Sequence, residues 1–253
     1  MVTVHGKVKP GFEGVSEAFA SNFNDGFEVG ASVAVIYKGE MVVDIWGGHR
    51  EMERTSEWQS DTLVNVWSTT KTMMFLTLLT LADRGEISLT DPVYKYWPEF
   101  KANGKEGIEI RHLMAHTAGL SGWAEPMVQD DLYNHDKCAA VLAAQAPWWT
   151  PGSQSGYHAI TQGYLIGELV KRVTGQSLGN FFRENFAEPL GADFHIGTAP
   201  EHHHRISNVI PGVSLLDPTA QPDSIAVRTY TNPKIAAEIA WTSEWRRCES
   251  PAV

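Results

Sequence analysis

The sequence predicts an α+β fold, and three observations carry that prediction. Two β-rich runs, 31–37 and 41–46, lie together near the N-terminus. Beyond residue 66 apolar residues recur at helical spacing instead, and prolines and glycines separate the helical stretches. The chain has 253 residues, 43% hydrophobic and 20% charged, which suits one or two globular domains with a sizeable core and argues against disorder.

A formal net charge of −10, with no basic stripe, argues against a nucleic-acid partner. The N-terminal residues hold no long apolar core and no later run reaches ~18 apolar residues, so a soluble, cytoplasmic protein without a membrane partner is expected. Cys138 and Cys248 are the only cysteines, too few for a disulfide framework and without metal-ligand spacing, so free thiols are expected.

Taken in order, Phe12, Val15, Phe19 and Phe23 recur at helical steps and predict an amphipathic helix ending at Asn24-Asp25-Gly26 and packed on a sheet. Ala31–Tyr37 and Met41–Trp46, separated by Lys38-Gly39-Glu40, read as a hairpin, with Gly47-Gly48 ending its second strand. Residues 49–66 are polar and irregular. Trp67–Asp83 follows, in which Ser68-Thr69-Thr70-Lys71 opens a nearly all-round apolar run; this reads as a buried helix stopped by Gly85. Pro92 forbids its simple continuation through Ile87–Val93. Ile110–Met114 is a short helix closed by His116-Thr117-Ala118-Gly119-Leu120, and Lys137–Ala146 is alanine-rich and helical until Pro147. The breaker-rich loop Trp148–Tyr157 delivers Tyr157 to the start of a helix marked by Ile160, Tyr164, Leu169 and Val173 and ended by Gly175. Ser177 caps a further helix through Phe186, and from Ala199 onward no pattern persists.

Chemistry concentrates at Ser68. If its helix begins there, Ser68 and Lys71 lie one turn apart on one face. A serine hydroxyl needs a base to take its proton, and a solvated lysine with a pKa of ~10.4 cannot serve until burial or a neighbouring charge lowers it. Backbone N–H groups at the same helix end can steady an oxyanion. On these residues alone, Ser68 as a simple N-cap beside a solvated Lys71 stays open.

The pieces fall in one order: Ser68-x-x-Lys71, Asp91-Pro92 before Tyr96-Trp97-Pro98, His116 to Leu120, then Pro151-Gly152 ahead of Tyr157. Over roughly residues 10–200 this resembles the serine β-lactamase-like superfamily, specifically the class C-like family VIII carboxylesterases. The resemblance implies a β-lactamase/transpeptidase-like fold, a helical lobe packed on an antiparallel sheet. It implies Ser68 as nucleophile, with Lys71 and Tyr157 sharing proton transfer, and no cofactor. The lactamases carry Asn where Ala159 stands, an amide that would orient a lactam side chain, so the departure favours simple esters.

The expected function is a serine carboxylesterase hydrolysing small, short-chain esters through an acyl-enzyme. The alternatives are a β-lactamase or D,D-peptidase-like hydrolase, or a catalytically silent lactamase-like scaffold. The family's third motif is not found, because Trp46-Gly47-Gly48 precedes Ser68 and ends the hairpin's second strand. The expectation is thus one incomplete domain over 1–253, truncated before its C-terminal sheet strands: helix and hairpin in 1–66, helical lobe in 67–200, irregular segment in 201–253. Such a chain is expected to be a weak catalyst, and its open sheet edge to pair with another copy as a homo-oligomer.

Trp67, Trp123, Trp148, Trp149 and His158 are expected to line a substrate pocket, although large aromatics suit a core equally well. No metal is expected at Glu201-His202-His203-His204, since consecutive histidines point different ways. His116 and His158 lack the Gly-x-Ser-x-Gly elbow that a Ser-His hydrolase would need.

Overall fold

A computed structural model describes residues 2–26, 28–212, 219 and 221–251. The chain divides into two compact units, Met1–Asn65 with Glu201–Gly212, and Val66–Pro200 with Val213–Val253.

In the first unit β1 (Val4–Val8), α1 (Glu13–Asn24), β2 (Gly30–Tyr37) and β3 (Glu40–Gly48) form an antiparallel sheet of order β1-β3-β2 with a helix on it. The hairpin turn is two residues long: Lys38 and Gly39 both take positive φ, 50° and 82°, and Tyr37 pairs directly with Glu40. That mirror-image turn matches the strand twist. Phe19 of α1, flanked by Phe12, Val15 and Phe23, packs on Val43 and Ile45 of the central strand.

The sheet corrects the expected two-stranded hairpin. β1 has apolar residues only at its ends, so nothing in Val4-His5-Gly6-Lys7-Val8 marks a strand; it forms by pairing with β3 from Val4↔Gly47 to Val8↔Val43. Gly6 takes φ 104° there, against Asp44 O, where a side chain would not fit. In the expected irregular 49–66, β4 (Leu63–Val64) pairs in parallel with β5 (Ile206–Ser207).

The second unit is helical. A 3₁₀ turn, Trp67–Thr69, leads into α2 (Thr70–Asp83). α2 buries Met74, Leu78 and Leu81 but leaves Leu76 and Leu79 at 40% and 47% exposure, so it is not buried all round as its composition implied. Then come α3 (Ile110–Met114), α4 (His135–Ala144) and α5 (Thr161–Thr174). Every residue of α5 from Thr161 to Val170 is buried, and left-handed Gly175 ends it. Ser177 caps α6 (Leu178–Phe182) by accepting from the Asn180 amide. A π-turn, Arg183–Ala187, carries that helix past the expected end at Phe186 into α7 (Glu188–Leu190).

The expected irregular segment 201–253 is also corrected. Its first part belongs to the sheet unit. Later it forms α8 (Ile225–Thr231) and α9 (Ser243–Arg247), and Ile239, Ala240 and Trp245 join the helical core; residues 213–218, 220, 252 and 253 lie outside the described residues. Helices this short have no lasting period to read, and depend on the Ser224 and Thr242 caps and on packing. Among the described residues no helix is long and apolar enough to cross a membrane.

Candidate active site

Ser68 sits in the 3₁₀ turn, which begins at Trp67 with φ 47° and is closed by Thr69 N–H donating to Val66 O. One turn on, Lys71 is 4% exposed. Its Nζ lies 3.1 Å from Ser68 Oγ and donates to Ala159 O at 2.8 Å. Burial pulls its pKa down to about 7, with no carboxylate among the causes to oppose it. The amine is therefore available as a free base near neutral pH, against the hydroxyl.

Two loops place the remaining groups. The segment His116–Leu120 is the backbone partner of the breaker-rich loop: Trp148 N–H donates to Gly119 O, Gly152 N–H to Thr117 O and Gly156 N–H to His116 O, at 2.7, 2.9 and 3.0 Å. This pairing presents Tyr157, which is 41% exposed. α5 starts at Thr161, so Tyr157 stands on the loop before the helix and not at its start. Its ring lies 4.6 Å from the His116 ring and 5.2 Å from Lys71 Nζ. Among the described residues no hydrogen bond joins the Tyr157 hydroxyl to Ser68 or Lys71.

The expected pocket residues separate. His158 has no exposed surface; its Nε2 accepts from Leu120 N–H at 3.1 Å and its Nδ1 faces Gly156 O at 2.6 Å. Both nitrogens are used, Nδ1 carries the proton, and burial drives the pKa down to about 3. His158 thus locks two loops together and offers a substrate no atom, which corrects the expectation. Trp123 is also corrected: it is 2% exposed, donates to Cys138 O and meets Tyr164 edge-on in the core. Trp149 is buried edge-on to His158, and Gly156 leaves room for its ring. Trp67 packs beside Trp245, and Trp148 lies beneath the Arg228 guanidinium; these two keep some exposed surface.

His116 is neutral as well, its pKa lowered to about 4 by burial and then by the Lys71 charge, and its Nδ1 accepts from His158 N–H. Asp91 works as a loop pin, its Oδ2 accepting from Lys95, Tyr96 and the Ser88 amide, which hold its pKa down to about 2.

Sequence reasoning read Ala159 only for the amide its side chain lacks and missed its carbonyl, a group every residue carries. It also missed Tyr230 of α8, whose pKa is raised by burial and by Tyr157; only the Ser224 cap signals that helix in the sequence. His202, His203 and His204 lie in a 3₁₀ turn, Pro200–Arg205. Elsewhere His135, Asp136 and Glu168 hold donor atoms within 4.8 Å of one another, but Lys171 binds Asp136 and Arg172 binds Glu168, each at 2.7 Å.

A lysine buried in the first turn of α2, one turn behind a serine, in an α+β chain defines a β-lactamase/transpeptidase-like protein. The chain belongs to the beta-lactamase family, whose model matches residues 19–227. It is 41% identical over 198 residues to esterase/beta-lactamase LipL of Mycobacterium tuberculosis, covering 78% of this chain and 46% of that protein. It is 32% identical over 180 residues to esterase EstB of Burkholderia gladioli, covering 64% and 45%. Among solved structures, a family VIII carboxylesterase matches with a TM-score of 0.90 at 41% identity, over 99% of this chain and 67% of that one. A penicillin-binding protein homolog from Caulobacter crescentus matches at 0.85 and 37%, over 99% and 67%. The chain spans about half the length of the curated relatives it matches.

Proposed function

We propose that this chain carries the nucleophile site of a serine carboxylesterase that hydrolyses small, short-chain esters through an acyl-enzyme. The observation that carries the reading is the Lys71 amine, with a pKa of about 7, at 3.1 Å from Ser68 Oγ. Neutral Lys71 takes the Ser68 proton as Oγ attacks the ester carbonyl, and the Ser68 amide at the helix opening donates to the oxyanion. Lys71, with Tyr157 beside it, returns the proton to the leaving alcohol, leaving the acyl group on Oγ. The same base then draws a proton from water, which attacks the acyl carbon, frees the acid and restores Ser68. Ala159 O holds the amine in place through the cycle.

Relatives named as esterases support this substrate class. A second reading, lactam hydrolysis, is favoured by the relative from Escherichia coli named beta-lactamase, 32% identical over 162 residues. The methyl group of Ala159 weighs against it, since it offers no donor or acceptor to an acylamino chain. Turnover of p-nitrophenyl butyrate and of nitrocefin decides between the two. The esterase reading expects the ester to be cleaved far better, and the reverse preference overturns it.

A further inference from the structure

We propose that Arg228, carried on Trp148 beside the Tyr157 loop, recognises a carboxylate, and that the esters taken by this site bear one in addition to the ester group. The inference rests on the esterase reading for its chemistry and on separate observations for its recognition.

The Arg228 guanidinium lies 3.8 Å from the centre of the Trp148 ring. Stacking of this kind uses the flat face of the cation and leaves its N–H donors, which all lie in the guanidinium plane, unspent. Several other arginines find carboxylates, as Arg172 meets Glu168 and Glu99, Arg111 meets Glu109 and Arg183 meets Glu188, and Arg84, which has none among the described residues, still bonds the Asn185 amide oxygen. Arg228 does neither. Among the described residues its side chain has neither an ion pair nor a hydrogen-bond acceptor, in a protein with 30 acidic residues against 20 lysines and arginines. The indole N–H of Trp148 is likewise buried without an acceptor. The platform carries donors and positive charge, with nothing of the protein's own to answer them.

Its position ties it to the loop that presents Tyr157. Trp148 opens the loop that ends at Tyr157 and is bonded to Gly119. α8 is clamped to the same region by Thr229 Oγ1 against Ser121 Oγ at 2.8 Å, and just beyond it Asn232 donates to Trp123 O and Glu125 O and accepts from the Met127 amide. At Gly122 a Cβ would press into both the Trp148 ring and the α8 backbone, so the absence of a side chain lets the two meet. Two residues past Arg228, Tyr230 is near enough to Tyr157 that its pKa, raised first by burial, is raised further by that neighbour. A planar fork of N–H donors matches a carboxylate, and the acidic character of the chain disfavours multiply charged anions.

The test uses Ser68→Ala for binding and the unsubstituted serine for turnover. Calorimetric titration of Ser68→Ala should show monomethyl glutarate binding about 10-fold more tightly than methyl butyrate, the scale of one charge-assisted hydrogen bond. Adding Arg228→Met, whose unbranched stem still covers Trp148, should erase that ratio, and Arg228→Lys should keep part of it. In turnover, the ratio of kcat/KM for mono-p-nitrophenyl glutarate over p-nitrophenyl butyrate should fall about 10-fold in Arg228→Met. Equal binding of the two esters, or a ratio that Arg228→Met and Arg228→Lys leave unchanged, overturns the proposal. Arg228-dependent anion binding without turnover of either ester keeps the recognition of a carboxylate by Arg228 and rejects the esterase reading instead.

Discussion

Replacing Lys71 by arginine separates a base from a mere cation at the same position. With a pKa of about 7, half of the folded molecules carry a free amine at pH 7. At the ordinary value the free fraction would be smaller by a factor of roughly 10³, and a guanidinium supplies essentially none. Lys71→Arg should therefore lower kcat/KM for p-nitrophenyl butyrate by about 10²–10⁴, the range of general-base catalysis. The unsubstituted chain should lose activity as pH falls below about 7 and level off above it, because the neutral amine is the active form. Stability gives a reading independent of turnover. Folding lowers the Lys71 pKa, so between about 7 and 10.5 the unfolded chain binds more protons and stability rises with pH. Relative to Lys71→Met, which has nothing to titrate there, the gain from pH 7 to pH 9 should be roughly 2 kcal/mol. Lys105, also buried with a pKa lowered to about 8, titrates in both chains and cancels. A flat activity profile across this range, together with an active Lys71→Arg, would refute the reasoning.

Ser68→Ala should abolish labelling by a fluorophosphonate probe, read by intact mass; persistent labelling moves the nucleophile to another serine. Ala159→Asn should raise nitrocefin turnover relative to p-nitrophenyl butyrate, and an unchanged ratio would mean that this position does not set substrate class. Folded pKa values of about 4 for His116 and about 3 for His158 lie below the ordinary 6.5, so the unfolded chain takes up protons first as pH falls. Tm should therefore drop from pH 6.5 towards pH 4, less steeply in His158→Gln, and an equal slope in both chains would contradict the buried neutral ring. Gly163→Ala should cost about 1–3 kcal/mol, because its Cβ would collide with the Pro251 carbonyl, whereas Gly14→Ala, in open space on α1, should stabilise by about 0.5–1 kcal/mol. Equal changes in Tm would show that Pro251 does not pack against α5.

What the sequence determined by itself are the features written in local chemistry. Phe12 to Phe23 spell an amphipathic helix, Lys38-Gly39 a tight turn, Gly175 a helix stop, and the spacing of Ser68 and Lys71 makes them neighbours on any helical turn. Tertiary structure decided what depends on distant partners. β1 is a strand only because β3 lies beside it, and α8 and α9 are too short to show a period of their own. The same dependence sorted the aromatic and histidine residues. Trp123 and His158 were plausible pocket residues until packing sent one into the core and spent both nitrogens of the other on Leu120 and Gly156. Even the base is a tertiary product: Ser-x-x-Lys sets the distance, but Lys71 loses its proton near neutral pH because the packed core of the helical unit and the Ala159 carbonyl enclose it. Desolvation is a property of everything around a group, and no local run of residues encodes it.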